Sequence, residues 1–68
     1  MKIQIKATKE AAQAFKEKCN SILFSEVLLN QTWIKDLWVL ECKTLAALEV
    51  VLVLAHQEKS ITLWDVIR

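Results

Sequence analysis

Residues 33–56 limit what this chain can fold into, because 17 of these 24 residues are apolar. Five charged residues interrupt the segment, and its longest run without a charge is the eight residues 50–57. A helix that spans a bilayer needs roughly 20 predominantly apolar residues, and each central charge costs roughly 3 kcal/mol. We therefore expect this segment to form the core of a domain that does not enter a membrane.

The length of 68 residues allows one domain, residues 1–68. A domain of this size is marginally stable unless disulfides, a metal or a partner chain support it. Cys19 and Cys42 allow one disulfide at most, and residues 1–10 lack the apolar segment of a secretory signal, which predicts a cytoplasmic protein. Because 54% of the residues are apolar, we expect self-association to supply the missing stability.

The chain contains no glycine and no proline. The glycine-rich loops that hold dinucleotides and nucleoside triphosphates are therefore excluded, and no other cofactor motif is present. Turns must be formed by Asn, Ser, Thr and Gln.

Polar residues near positions 8, 20, 31, 43 and 58 divide the chain into six segments. Residues 2–6 alternate polar and apolar side chains, which predicts a half-buried strand. Thr8 is a candidate N-cap for a helix over residues 9–19, and Thr44 for a helix over residues 45–57. The valines of this second segment leave a strand open as the alternative. Its narrow polar edge, Glu49 and His56, predicts a helix buried on nearly all sides.

The remaining segments are less distinct. Residues 22–29 can form a strand or a second helix capped by Ser25, residues 33–42 are predicted as a strand, and residues 61–67 as a strand or a short helix. The most consistent order is strand, helix, strand, strand, helix, strand. This order predicts an α+β fold with two layers, in which two helices cover one face of an antiparallel sheet with ferredoxin-like βαββαβ connectivity.

Two of the predicted strands are apolar on both faces, although an open-faced sheet should be polar on the side away from its helices. With two helices covering one face, a second copy of the chain is expected to cover the other, most simply as a twofold dimer. The predicted interface residues are Trp33, Leu37, Val39, Trp64 and Val66.

The N-terminal third has a strand followed by a helix, a polar break and the possible second helix at Ser25. This pattern resembles the ribbon-helix-helix repressors, in which two chains pair their N-terminal strands and place the ribbon in the DNA major groove. The resemblance implies that Lys2, Gln4 and Lys6 contact base edges. Lys9 would add binding that does not depend on sequence.

A second pattern, Asp36 followed by Glu41, Cys42 and Lys43, resembles the acidic residue and Glu-x-Lys signature of restriction-type nucleases. In that family two carboxylates hold a divalent metal and the lysine assists the attacking water. The ordinary alternative is a pair of solvated charges at the end of a strand.

The chain has three other candidate metal ligands, Cys19, Cys42 and His56. They are 23 and 14 residues apart, and these spacings match no zinc arrangement. We therefore expect no metal, no cofactor and no catalytic residues. The leading hypothesis is a small non-enzymatic regulatory protein that works as a homo-oligomer, as a dimer in its simplest form, and binds another macromolecule such as a protein. A DNA-binding regulator is the alternative, and a metal-dependent nuclease fragment comes third.

Overall fold

The computed structural model describes residues 1–23 and 27–67. The elements, in chain order, are β1 (Lys2–Lys6), α1 (Lys9–Ile22), β2 (Leu28–Gln31), β3 (Leu37–Glu41), α2 (Leu45–Gln57) and β4 (Thr62–Ile67). The four strands form one antiparallel sheet in the order β2-β3-β1-β4. The predicted α+β fold and its ferredoxin-like βαββαβ connectivity are confirmed.

Both predicted helix caps are present. The Thr8 hydroxyl accepts a hydrogen bond from the Ala11 amide at 3.2 Å, and the Thr44 hydroxyl accepts one from the Ala47 amide at 3.1 Å. Each bond satisfies an amide in the first turn that has no partner within its helix. The second helix has the predicted bounds, Leu45–Gln57.

The first helix is longer than predicted, because the expected polar break at residues 20–21 lies inside it. The Ser21 hydroxyl donates to the Lys18 carbonyl at 2.9 Å, within the helix. The Asn20 side chain accepts a hydrogen bond from the amide of Val27 at 2.8 Å, so it holds the chain that follows the helix. The sequence prediction treated Asn20 as a helix breaker, and this was wrong.

The segment after α1 contains a strand, β2, and this decides between the two alternatives for residues 28 and 29. Residues 24–26, which include the proposed cap Ser25, lie outside the described residues. The predicted break at residues 30–32 was wrong, because Asn30 and Gln31 pair with β3. The turn comes later, and Trp33 is part of it rather than of a strand.

The core lies between the two helices and one face of the sheet. Ile3 and Ile5 from β1 and Trp38 and Leu40 from β3 are buried on this face, opposite one another in the strand register. Side chains from both helices belong to the same cluster: Ala12, Phe15, Cys19, Ala47, Leu48, Val51 and Ala55. Both helices therefore cover the same face of the sheet.

The link between β1 and α1 is bound to the start of β3. The Trp38 indole Nε1 donates to the Ala7 carbonyl at 3.0 Å, and the Ala7 amide donates to the Asp36 carbonyl at 2.9 Å. Asp36 has a positive φ of 63°. Among residues other than glycine, Asp and Asn tolerate this left-handed conformation best.

An irregularity in the pairing of β1 with β4 decides which way the last strand faces. Gln4 pairs with Asp65 and Ile5 pairs with Leu63, so Trp64 is the extra residue of a β-bulge. Val66 consequently pairs with Ile3 and packs against the core. The prediction that Val66 shares a face with Trp64 was therefore wrong, because strict alternation does not continue through a bulge.

The second helix is less buried than predicted. Ala47, Leu48, Val51 and Ala55 are buried, but Val53 is 56% exposed, and Leu45 is exposed as well. In the described part of the chain, no helix has the length and apolar character needed to cross a membrane.

The contact between Trp38 and Ala7 generates a stability prediction. Replacing Trp38 with Phe keeps an aromatic ring but leaves the Ala7 carbonyl without its indole donor, so we expect a loss of about 1–3 kcal/mol. The matched control is Trp33→Phe, because Trp33 is exposed and should change stability by less than about 0.5 kcal/mol. Urea unfolding followed by circular dichroism measures both, and equal losses would contradict the role given to the buried bond.

Candidate binding surface

Neither helix covers the face of the sheet that points away from them. The strand register and the bulge determine its members, and we call it the open face. It consists of Lys2, Gln4, Lys6, Leu28, Asn30, Leu37, Val39, Glu41, Thr62, Trp64, Asp65 and Ile67.

The apolar side chains of the open face lie on three strands. Leu28 on β2 and Trp64 and Ile67 on β4 are exposed, Trp64 to 59%. Val39 on β3 is half-buried. Leu37 is buried but is not part of the core cluster.

The structure therefore brings together three of the five predicted interface residues: Leu37, Val39 and Trp64. Val66 faces the core, and Trp33 lies in the turn between β2 and β3 with 94% of its surface exposed. Trp33 leaves the strand because Thr32 closes the turn. The Thr32 amide and hydroxyl both donate to the Leu37 carbonyl, at 3.1 and 2.8 Å.

The charges of the open face are mixed. Lys2 lies opposite Glu41, and Asp65 lies opposite Gln4 in the strand register. The ammonium group of Lys6 lies 5.1 Å from the centre of the Trp64 ring, which is the distance of a cation–π contact. The face thus presents two lysines and two carboxylates interspersed with its apolar side chains, and Glu41 and Lys2 lie between Leu28 and Ile67.

The residues proposed to bind DNA are only partly grouped. Lys2, Gln4 and Lys6 share the open face, whereas Lys9 is an exposed residue at the start of α1, outside the sheet. The strand β1 pairs with β3 on one edge and with β4 on the other. It therefore has no edge left for a second chain, and residues 28–31 form a strand where the ribbon-helix-helix arrangement needs its second helix.

The nuclease-like residues are also separated. Asp36 precedes β3 and Glu41 ends it, so five residues of extended chain separate them by roughly 16 Å. Metal–oxygen distances are about 2–2.6 Å, so these two carboxylates cannot hold one ion. Among the described residues, no group of three His, Cys, Asp or Glu side chains is placed to hold a metal.

Both cysteines are free thiols in the core, and His56 is exposed in the last turn of α2. Burial, with a smaller contribution from the neighbouring Cys42, raises the pKa of the Cys19 thiol to about 11. Burial also raises the pKa of Cys42. Both thiols therefore stay protonated at neutral pH, whereas a nucleophile or a metal ligand needs the thiolate.

Sequence reasoning missed a groove on the outer side of α2. It is lined by Glu49, Val50, Val53 and Leu54 and has a volume of about 260 Å³. The signal was present, because α2 has more apolar positions than one core-facing stripe needs. The prediction of a helix buried on nearly all sides assigned these additional apolar residues to the core, but the structure places some of them at the outer surface.

Comparisons with models of known protein families, with curated protein sequences and with solved structures found no match for this chain. Three surfaces of the molecule are candidates for a function: the open face, the turn with Trp33 and the groove on α2.

The raised pKa of Cys19 predicts a loss of stability at alkaline pH. In the unfolded chain this thiol ionises near its ordinary pKa of 9.0, but in the folded protein it ionises near 11. Its contribution to stability is therefore complete below pH 9 and decreases as the pH rises towards 11.

We expect the free energy of unfolding of the parent to fall more steeply across this pH range than that of a Cys19→Ala variant. The other titratable groups, Cys42 among them, are the same in both proteins, so the difference between the two curves isolates Cys19. Urea unfolding at a series of pH values measures it, and parallel curves would contradict the assignment.

Proposed function

We propose that this chain is a small non-enzymatic regulatory protein that forms a homodimer through its open face and acts by binding another macromolecule. One observation carries the proposal: a sheet face that neither helix covers exposes Leu28 on one edge strand and Trp64 and Ile67 on the other. Their chemistry is that of an apolar contact surface, and it suits binding better than catalysis.

Burial of the Trp64 side chain would stabilise a dimer. Trp64 is 59% exposed, so of the about 150–250 Å² that a tryptophan buries, about 90–150 Å² remain available, worth about 2–4 kcal/mol before the costs of association. A twofold dimer buries the same patch on both copies. This support is large for a chain of 68 residues, whose own core supplies only marginal stability.

The charges of the open face favour a second copy as the occupant. Lys2 and Lys6 are balanced by Glu41 and Asp65 on the same face. Two surfaces with both signs interspersed can approach without net repulsion, whereas two surfaces of one sign could not. Charge balance of this kind supports self-pairing over binding to a strongly anionic or cationic partner.

The dimer would keep apolar side chains for a further partner. Ile22 at the end of α1 and Leu45 at the start of α2 are exposed and lie outside the open face. They support the binding of another macromolecule, with a protein as the favoured class. Both cysteines are free thiols, which fits a reducing compartment such as the cytoplasm.

The proposal predicts that Trp64→Glu dissociates the dimer. A carboxylate would be buried in place of an aromatic anchor, and we expect the dimer dissociation constant to rise by at least about 30-fold, the effect of losing an interface hot spot. Sedimentation velocity over a range of protein concentrations measures this change.

The matched control is Trp33→Glu, the same substitution at an exposed tryptophan outside the sheet, which should leave the dimer intact. Circular dichroism checks that both variants fold. A parent protein that sediments as a monomer at tens of micromolar, or a Trp64→Glu variant that still dimerises, would show that the open face is not the dimer contact.

Nucleic acid is the second candidate partner, because Lys2, Gln4 and Lys6 share the open face and Lys6 lies against the ring of Trp64. Lysines beside an exposed aromatic ring are typical of surfaces that bind single strands. Glu41 and Asp65 oppose such binding by repelling phosphates.

We expect no salt-dependent association with DNA or RNA at low ionic strength. Fluorescence anisotropy with labelled single-stranded and double-stranded oligonucleotides measures this, and a Lys2→Glu/Lys6→Glu variant serves as the control. Binding by the parent that weakens with salt and disappears in the variant would make nucleic acid the preferred partner of this face.

A further inference from the structure

The turn between β2 and β3 displays the most exposed large apolar side chain of the described residues, Trp33. The turn is held by its own hydrogen bonds. Thr32 donates to the Leu37 carbonyl through its amide and its hydroxyl, and the Ile34 amide donates to the Thr32 hydroxyl at 3.1 Å. Trp33 is thus presented on an ordered loop, which reduces the entropy lost when such a side chain binds.

The groove on α2 is suited to receive an aromatic side chain. Val50, Val53 and Leu54 line it together with Glu49, and its volume is about 260 Å³. The groove is open to solvent on its outer side, so an indole ring can lie against these apolar side chains without entering an enclosed cavity.

The charges beside the two features are complementary. Lys35 is exposed and lies two residues after Trp33, while Glu49 supplies a carboxylate to the lining of the groove. A carboxylate accepts several hydrogen bonds at once, so Glu49 can accept one from an ammonium group or an indole N–H in addition to its contacts within the chain.

We propose that the groove on α2 accepts the Trp33 side chain of a second copy of this chain, with Lys35 of that copy placed beside Glu49. In this contact one tryptophan enters one groove and the reciprocal pair is not formed between the same two copies, which makes the contact heterologous. Each copy in it retains one unused tryptophan or groove, so the contact extends dimers into larger assemblies. It does not depend on pairing through the open face.

The size of the contact predicts its strength. One tryptophan buries about 150–250 Å², well below the roughly 800 Å² per partner of a standard interface. The contact is therefore weak between isolated copies, and it becomes visible at high protein concentration or where dimers present two tryptophans and two grooves at once.

A mixing experiment tests the proposal. Trp33→Ala removes the tryptophan and keeps the groove, whereas Val53→Glu keeps the tryptophan and places a charge in the groove. Both positions are largely exposed, so both variants are expected to fold. Sedimentation velocity at high concentration should show that neither variant forms the larger assemblies of the parent, and that an equimolar mixture forms species larger than either variant alone.

A charge exchange provides a second measurement. Lys35→Glu and Glu49→Lys should each weaken the assembly by up to about fivefold, and the double variant should restore it. A mixture that sediments like its separate components, or a Trp33→Ala variant that keeps the assemblies of the parent, overturns the proposal.

Different substitutions disrupt the open-face dimer and the contact between Trp33 and the groove. Trp64→Glu removes the open-face dimer and keeps the concentration-dependent contact of Trp33, whereas Trp33→Ala keeps the dimer and removes the larger assemblies. If Trp33→Ala instead converts the parent dimer to a monomer and Trp64→Glu has no effect, the open-face proposal is overturned and the tryptophan contact stands.

Discussion

The rest of the structure depends on the contacts of β1 with the two neighbouring strands and with the core. β1 pairs with β3 on one edge and with β4 on the other, and its two isoleucines, Ile3 and Ile5, are completely buried. Both helices contribute to the same cluster as these isoleucines. The two cysteines are free thiols, so no disulfide between them supports the fold, and the apolar core holds the sheet and the helices together.

The same arrangement produces the surface that we propose as the dimer contact. Alternation along β1 places Lys2, Gln4 and Lys6 on the face opposite the isoleucines, because successive side chains of a strand point to opposite sides. A chain with two helices covers one side of its sheet. Alternation from Thr62 and Leu63 places Trp64 on the uncovered side as well, beside Lys6, and the bulge then adds Asp65 and Ile67 to that side. The open face is therefore a consequence of how the core is built.

The second helix connects the core with the other proposed contact. It buries Ala47, Leu48, Val51 and Ala55 against the sheet and still has apolar side chains left for its outer surface, Val53 among them. An apolar content that exceeds the capacity of one small core thus appears at two places, the open face and the groove. If the protein associates through both surfaces, the size of its assemblies would increase with protein concentration.

What the sequence determined by itself was local: the strand β1, both threonine caps and the bounds of α2, because alternation and capping involve residues a few positions apart. The element order also followed, and with it Leu37, Val39 and Trp64 on one sheet face. Strand register and specific hydrogen bonds decided the rest. Asn20 binds the amide of Val27, the bulge against β1 turns Val66 inward, and Thr32 closes a turn that displays Trp33. The bulge depends on pairing between strands far apart in the chain, and the two side-chain hydrogen bonds lie outside the alternation and capping patterns, so only the tertiary structure decides these features.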